Sequence, residues 1–500
     1  MSKSGRWTVL AVLCASLLLV ALDATILNVA LPSLIDDLHP DAIQQLWIID
    51  IYGLLLGGLL VTAGAVGDRW GRKRLFLVGV AAFGIASIIA ATSSSPGQLI
   101  AGRVLLACGG AMIMPSTLSL IRNVFSDPQE RTRAIGVWAS VAGAGAAIGP
   151  VLGGLLVERF GWAAAFWVNV PIVVITLVAG WFILPESRTP GESRLDWFSA
   201  ALSVAGTITI VWGIKHVAAD GVLSPAPLAI MVGLGLLIVF ARRQLRLDDP
   251  LLDVRLFTNP AFTGAAITTL AAMMAIGAAL FLLSLWLQYV EQFSPLQAGL
   301  RMLPAALATL LAALATPRLV ARLGVRTVIG SALATLTAAF AILALAPLTY
   351  PVVVIALVAF GIGDGMAITA AATTIVSAAP AERAGGAAAV NETCYELGVG
   401  FGVAILGSIA AVGYRNGLDG LRLPPPVRDV VSGSIGGAHE IATDLGGPAG
   451  ERIMVVARAA YVDALTLTSV ISAVLVAAAT VVALWLIPGG FQQADNPPEF

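Results

Sequence analysis

Residues 64–74 read GAVGDRWGRKR, a glycine-bearing turn with four cations set between two apolar runs, 45–66 and 75–94. Each run is long enough to cross a bilayer, which takes about 20 apolar residues. A charged turn has no place in hydrocarbon, so it fixes a helix–turn–helix pair at one membrane face. Lys and Arg collect on the inner side of membranes, and that assigns the turn to the cytoplasm. Composition agrees: 58% of the chain is hydrophobic and 11% is charged, whereas soluble domains carry roughly a quarter charged residues.

Outward from this turn the apolar runs recur at 7–31, 45–66, 75–94, 97–121, 134–157, 162–184, 197–217, 224–243, 261–289, 296–316, 326–346, 351–377, 387–413 and 464–487, fourteen in all. The first is too long for a signal-peptide core and reads as a retained helix. With the N-terminus inside, nineteen Lys and Arg fall on the inner side, from Lys3 and Arg6 to Arg326 and Arg383. Three, Arg159, Lys215 and Arg301, fall in short outer loops or at helix ends. That asymmetry orients the chain in a bacterial cytoplasmic membrane with both termini cytoplasmic. Lys215 and His216 read as snorkelling residues at the outer interface. The one sizeable polar insertion, about 414–463, predicts an external helical hairpin over 427–444 and 449–463.

Other classes find little support. The net charge of −1 and the lack of a basic patch with aromatics give no sign of nucleic acid. Cys14, Cys108 and Cys394 have no paired spacing, so no disulfide or metal is expected. His39, His216 and His439 sit at loops or ends, without HExxH or GxSxG, and an enzyme is not expected. A P-loop is absent too, so no nucleotide cofactor is expected to drive the chain.

The stretch 317–326, PRLVARLGVR, echoes the 64–74 turn half a chain away, as a parallel internal repeat predicts. Spans 1–6 and 9–14 would then form two halves, with spans 7 and 8 as an inserted pair. Four stretches carry a wider likeness: LDATILNVALP (22–32), GAVGDRWGRKR (64–74), the pattern Gly136, Gly145, Gly149-Pro150, Gly153-Gly154, and ETCYELG (392–398). Through them the chain resembles the major facilitator superfamily, and within it the fourteen-spanner drug:proton antiporters that export methyl viologen and quaternary ammonium compounds. The resemblance implies an all-α polytopic membrane protein of the major facilitator fold. Its parts would be an N-terminal six-helix bundle (1–184), two inserted helices with a linker (185–260), and a C-terminal six-helix bundle (261–500). It also implies a monomer that exchanges small lipophilic cations for protons, driven by the proton gradient. A dedicated exporter of a self-made antibiotic or other metabolite is the alternative.

Intramembrane charges are costly and functional by default. Asp23 lies inside the first span, and the competing reading is a structural carboxylate bonded to Thr25, Asn28 or a neighbouring helix. Glu392 and Glu396, four residues apart, share one helix face, where two carboxylates cannot both ionise cheaply. A solvated Glu392 at the inner mouth is the rival. Asp50 in WIIDIY is a further candidate, with an interfacial, solvated position as its alternative. Asp364 in GIGDG lies deep in the twelfth span and competes with a role as partner to a helix end or hydroxyl. Arg103 either pairs with Asp23 or Asp50 or snorkels outward. The resemblance assigns proton or substrate coupling to Asp23, Glu392 and Glu396 and a tuning role to Arg103. In the turn, Gly64, Gly67 and Gly71 permit close approach, while Asp68, Arg69 and Arg72 supply the pairing of an inner gate. The glycines of 136–154 read as a tight helix seam bent at Pro150, which the resemblance associates with antiport.

Overall fold

The computed structural model describes residues 3–186, 196–247, 250–380, 383–418, 420–421 and 423–490. Arg188 and Arg194, counted above for orientation, and the side chains of Lys3 and Asp68 lie outside the described residues. Every regular element among the described residues is helical. The first part of the chain comprises α1 (Lys3–Leu38), α2 (Ala42–Trp70), α3 (Arg72–Ala91), α4 (Pro96–Val124), α5 (Pro128–Phe160), α6 (Ala164–Trp167) and α7 (Asn169–Ile183). Next come α8 (Trp197–Asp220) and α9 (Ala226–Gln244). The rest holds α10 (Pro260–Leu285), α11 (Pro295–Leu323), α12 (Val325–Leu345), α13 (Tyr350–Ala378), α14 (Ala384–Gly417), α15 (Pro425–Gly433), α16 (Ile435–Leu445) and α17 (Gly447–Leu486).

Local chemistry sets the helix starts. Ser95-Pro96, Asp127-Pro128, Asn259-Pro260 and Ser294-Pro295 each place an oxygen-bearing cap before a proline at the first helical position. The cap oxygen accepts an otherwise orphaned amide, and proline's missing N–H costs nothing there. The 64–74 turn is a single-residue break: Gly71, at φ 115°, ends α2 and begins α3. Gly324, at φ 80°, does the same between α11 and α12, so the echo of the turn extends to its geometry. Side chains rarely adopt this conformation, and glycine does so without steric cost.

Thirteen helical stretches among the described residues are long and apolar enough to span a membrane. A fourteenth is α5, bent by 42° between Gln129–Gly145 and Ile148–Phe160. Pro150 accounts for the bend, because its ring clashes with the carbonyl four residues back and leaves it without an N–H partner. The run 162–184 is one candidate span, Ala164–Ile183, built of α6 and α7 joined at Val168. One expectation needs correction. The outer hairpin is α15 and α16, whereas residues 449–463 belong to α17. No proline or glycine interrupts 451–486, so the last span continues as one helix into the polar insertion.

Buried apolar side chains gather in two large clusters, one from α1–α7 and one mainly from α10–α17. Val29, Leu31, Ile35 and Leu46 of α1 and α2 join the second cluster. These four lie towards the face where α1 ends, opposite the one holding the chain's beginning and the 64–74 turn.

Candidate functional site

The first helices enclose two buried ion pairs. Arg103 of α4 is 2% exposed, and its Nη1 donates to Asp23 Oδ2 of α1 at 2.5 Å. Its Nε and Nη2 donate to the carbonyls of Ile48 and Ile49 at 3.0 and 3.3 Å, and its guanidinium lies 4.6 Å from the Tyr52 ring centre. This geometry replaces the snorkelling alternative for Arg103. Thr25 bonds the carbonyls of Ala21 and Leu22 in its own helix, so the partner of Asp23 is the neighbouring helix.

The second pair corrects an expectation outright. Lys215 of α8 is 1% exposed and does not snorkel. Its Nζ donates to Asp50 Oδ1 of α2 at 2.8 Å and sits 3.5 Å from the centre of the Trp47 ring. Asp50, also 1% exposed, is therefore not a solvated interfacial carboxylate. His216 stays partly exposed, stacked on Trp212 with ring centres 3.9 Å apart. Position near the end of an apolar run hid Lys215 from sequence reasoning, because a lysine there usually turns to water. Two features were visible in retrospect: an aspartate and an aromatic in WIIDIY, and a lone cation in an otherwise apolar span.

The carboxylates of the later helices are held differently. Glu396 of α14 is buried against Gly53 and Gly57 of α2; a Cβ on Gly57 would lie 2.9 Å from Glu396 Cβ. Glu392, one turn earlier, is half-buried. Among the described residues neither glutamate has an ion-pair partner. Asp364 of α13 is buried, with Thr309 Oγ1 of α11 donating to its Oδ2 at 3.4 Å and its Oδ1 unpartnered. The hydroxyl alternative for Asp364 therefore has a geometric basis.

The glycine pattern forms a seam over part of its length. Gly145 and Gly153 of α5 admit α1 closely: added Cβ atoms would meet Ala21 and Ile26 at 2.9 and 3.0 Å, and one on Gly149 would overlap Thr25. Gly154 faces Pro295 and Leu296 of α11, and Gly299 faces Pro150, joining the first helices to the later ones. Gly136 looks into open space.

Between α1–α7 and α10–α17, side-chain bonds concentrate at the face opposite the amino terminus. Ser284 Oγ donates to the Asn28 carbonyl at 2.6 Å, and Gln288 Nε2 to that of Val29 at 3.2 Å. Ser294 Oγ donates to Glu158 at 2.6 Å, while Gln45 Nε2 donates to Ser434 of the outer hairpin at 2.9 Å. Toward the amino-terminal face, Val137, Ser140, Gly143 and Ala144 of α5 are exposed. The 64–74 turn makes its described polar contacts within the first helices. Lys73 Nζ donates to the Trp181 carbonyl at 2.7 Å, and Arg74 Nε lies 3.6 Å from Glu186 Oε2. Gly64 and Gly67 face Pro115 and Ser116 of α4, and Arg69 is exposed.

Residues 13–403 match the Major Facilitator Superfamily. The chain belongs to that family. It is 41% identical over 484 residues to the multidrug efflux pump LfrA of Mycolicibacterium smegmatis, covering 96% of each chain. It is 36% identical over 465 residues to the methyl viologen resistance protein SmvA of Salmonella typhimurium, covering 91% of this chain and 93% of that one. In fold it is similar to a bacterial homologue of the human lysosomal transporter Spinster, solved in an inward-facing, unoccupied conformation. That likeness has a TM-score of 0.68 at 17% identity and covers 97% of this chain and 98% of the other. The protein is thus a multi-pass membrane transporter of the major facilitator fold, with two six-helix bundles and two extra helices.

Proposed function

We propose that this transporter is a proton-coupled antiporter that exports lipophilic mono- and divalent cations by alternating access across a bacterial cytoplasmic membrane. The observation that carries the reading is the pairing of buried carboxylates. Asp23 and Asp50 each face a cation, whereas Glu392 and Glu396 share one face of α14 with no cation opposite them among the described residues. Two carboxylates on one helix face of an apolar span, Glu396 buried and Glu392 half-buried, are stable without a protein counter-ion only with a proton or a cation bound, and those two ligands exclude one another. Exchange of one for the other is antiport. The multidrug and methyl viologen relatives support organic cations as the load.

In this reading the amino-terminal face is cytoplasmic and open, and the bonds around Asn28, Glu158 and Ser434 close the outer side. The substrate enters from the inside and takes the site at Glu392 and Glu396, with Asp364 as a further carboxylate in the same half. Protons enter through the paired carboxylates Asp23 and Asp50, whose basic partners stabilise the released state. The 64–74 turn, with Gly64, Asp68, Arg69, Gly71 and Arg72, closes the inner face when the halves rock. The seam of α5 on α1 (Gly145, Gly149, Pro150, Gly153) moves as one body with it. A proton moving inward through 100 mV releases about 2.3 kcal/mol, enough to oppose a comparable uphill charge. The protein works as a monomer.

Purified protein in proteoliposomes loaded with a pH dye provides the test. Ethidium movement is expected to drive counter-movement of protons and to stop when a protonophore collapses the gradient. Ethidium transport indifferent to the gradient would end the antiport reading.

A further inference from the structure

The inserted pair α8–α9 has no part in the exchange just described, yet α8 carries a fully buried cation into the bundle. Its position is informative. On α2, Val204 of α8 meets Gly58, at 3.0 Å from where a Cβ would stand. Val211 shares a small apolar cluster with Leu54 of α2 and Ala404 of α14. Near its end, the Ala219 carbonyl accepts from Arg415 Nη1 of α14 at 2.9 Å. The helix therefore straddles the boundary between α2 and α14, where Glu396 packs on Gly53 and Gly57. Toward α9 its middle meets the apolar Ala226, Ile230, Gly233 and Leu237, and the one ionisable contact described there is at its far end, where Arg243 of α9 bonds Ser199 and the capping Asp196.

One strong bond fixes α8 to this boundary, the ion pair between Lys215 and Asp50. The charged and titratable groups around that pair are few. Arg103 of α4 bonds the carbonyls of Ile48 and Ile49, which flank Asp50. Asp23 of α1 is occupied by Arg103. Glu396 of α14 touches Gly53, three residues beyond Asp50. On α8 itself, His216 turns away to bond the Trp212 carbonyl at 2.9 Å.

We propose that Lys215 is a positioning residue for coupling, the counter-ion through which the extra helix pair reads the charge on Asp50. With Asp50 ionised, Lys215 clamps α8 across the boundary of α2 and α14. With Asp50 protonated, the clamp loses its ion-pair attraction and keeps only an ammonium hydrogen bond to a neutral carboxyl and the cation–π contact to Trp47, and α14 is free to move past α2. This rests on the proton-coupled reading above, and it gives the inserted helices a task beyond filling space.

The test uses the full-length protein in proteoliposomes, with ethidium as substrate and ethidium-driven proton flux followed as a function of pH. In Lys215→Met the carboxylate loses its cation, so the pH midpoint of proton flux is expected to rise by about one unit or more. Turnover should fall at least tenfold while KM for ethidium stays within about twofold. Lys215→Arg should restore the wild-type midpoint. The neutral pair Asp50→Asn/Lys215→Met leaves no unpaired charge, and its profile should lose the part of the pH limb that Asp50 supplies; it also decides the matter should Lys215→Met fail to fold. An unchanged midpoint in folded Lys215→Met, or a wild-type pH limb in the double variant, would reduce Lys215 to an anchor and overturn the proposal. If wild-type flux itself ignores the proton gradient, the antiport reading fails and takes this inference with it. A gradient-driven wild type with an unmoved variant midpoint sinks the inference alone.

Discussion

Asp23 and Asp50 meet a cation at 2.5 and 2.8 Å, while Asp364, Glu392 and Glu396 meet none among the described residues. Both groups lie in the same apolar medium, where an isolated ionised carboxylate is expensive. For the acids of the early helices that cost is met by Arg103 of α4 and Lys215 of the inserted α8. The later helices leave it to be met by whatever is transported. Burial alone therefore does not tell how a carboxylate's charge is met; its partner does.

The largest effect is expected from breaking a pair. Arg103→Ala strands Asp23 in a site 3% exposed and should cost about 3–5 kcal/mol, the usual range when one member of a buried pair is removed. Thermal unfolding in detergent measures this; a loss below about 1 kcal/mol would mean that the two sets of carboxylates are not held differently. Gly57→Val comes next. Its Cβ would stand 2.9 Å from Glu396 Cβ, and overpacking of this kind costs about 1–3 kcal/mol. Loss of ethidium efflux together with a lower unfolding temperature would place the contact of α2 with α14 on the transport path.

Glu396→Gln should behave in the opposite way to Arg103→Ala. No partner is stranded, so the unfolding temperature should hold or rise, while efflux of the divalent methyl viologen falls more than that of monovalent ethidium. Equal retention of both activities would remove Glu396 from the cation site. The smallest effect is expected at the outer hairpin. His39 Nδ1 and Glu440 Oε1 are 3.0 Å apart, with His39 largely exposed, and such surface pairs contribute about 0–1 kcal/mol. Glu440→Gln should therefore leave the unfolding temperature within a degree or two, and a large loss would show that the hairpin is bound more firmly than this pair suggests.

Much of the fold could be read along the chain because it depends on local rules. Apolar runs of spanning length, proline after a capping oxygen, and glycine at positive φ in Gly71 and Gly324 act over a few residues. The limits of α17 differ from the expected ones because polar residues between 449 and 463 suggested a separate helix, although no proline or glycine interrupts 451–486. The candidate carboxylates were legible as charges in the wrong solvent. Their partners were only partly so: Arg103, eighty positions from Asp23, stood among the readings, whereas Lys215, 165 positions from Asp50, did not.

By itself, the order of residues determined that this chain crosses a membrane many times, that its 64–74 turn is echoed half a chain on, and that several acids fall within apolar runs. These follow from transfer energies and backbone conformation, which each segment expresses alone. The tertiary structure alone decided which acids are neutralised, that an inserted helix supplies one counter-ion, and that the halves meet at the face away from the amino terminus. Such facts depend on distances between segments remote in sequence, and an ion pair has no existence until packing brings its two members within reach.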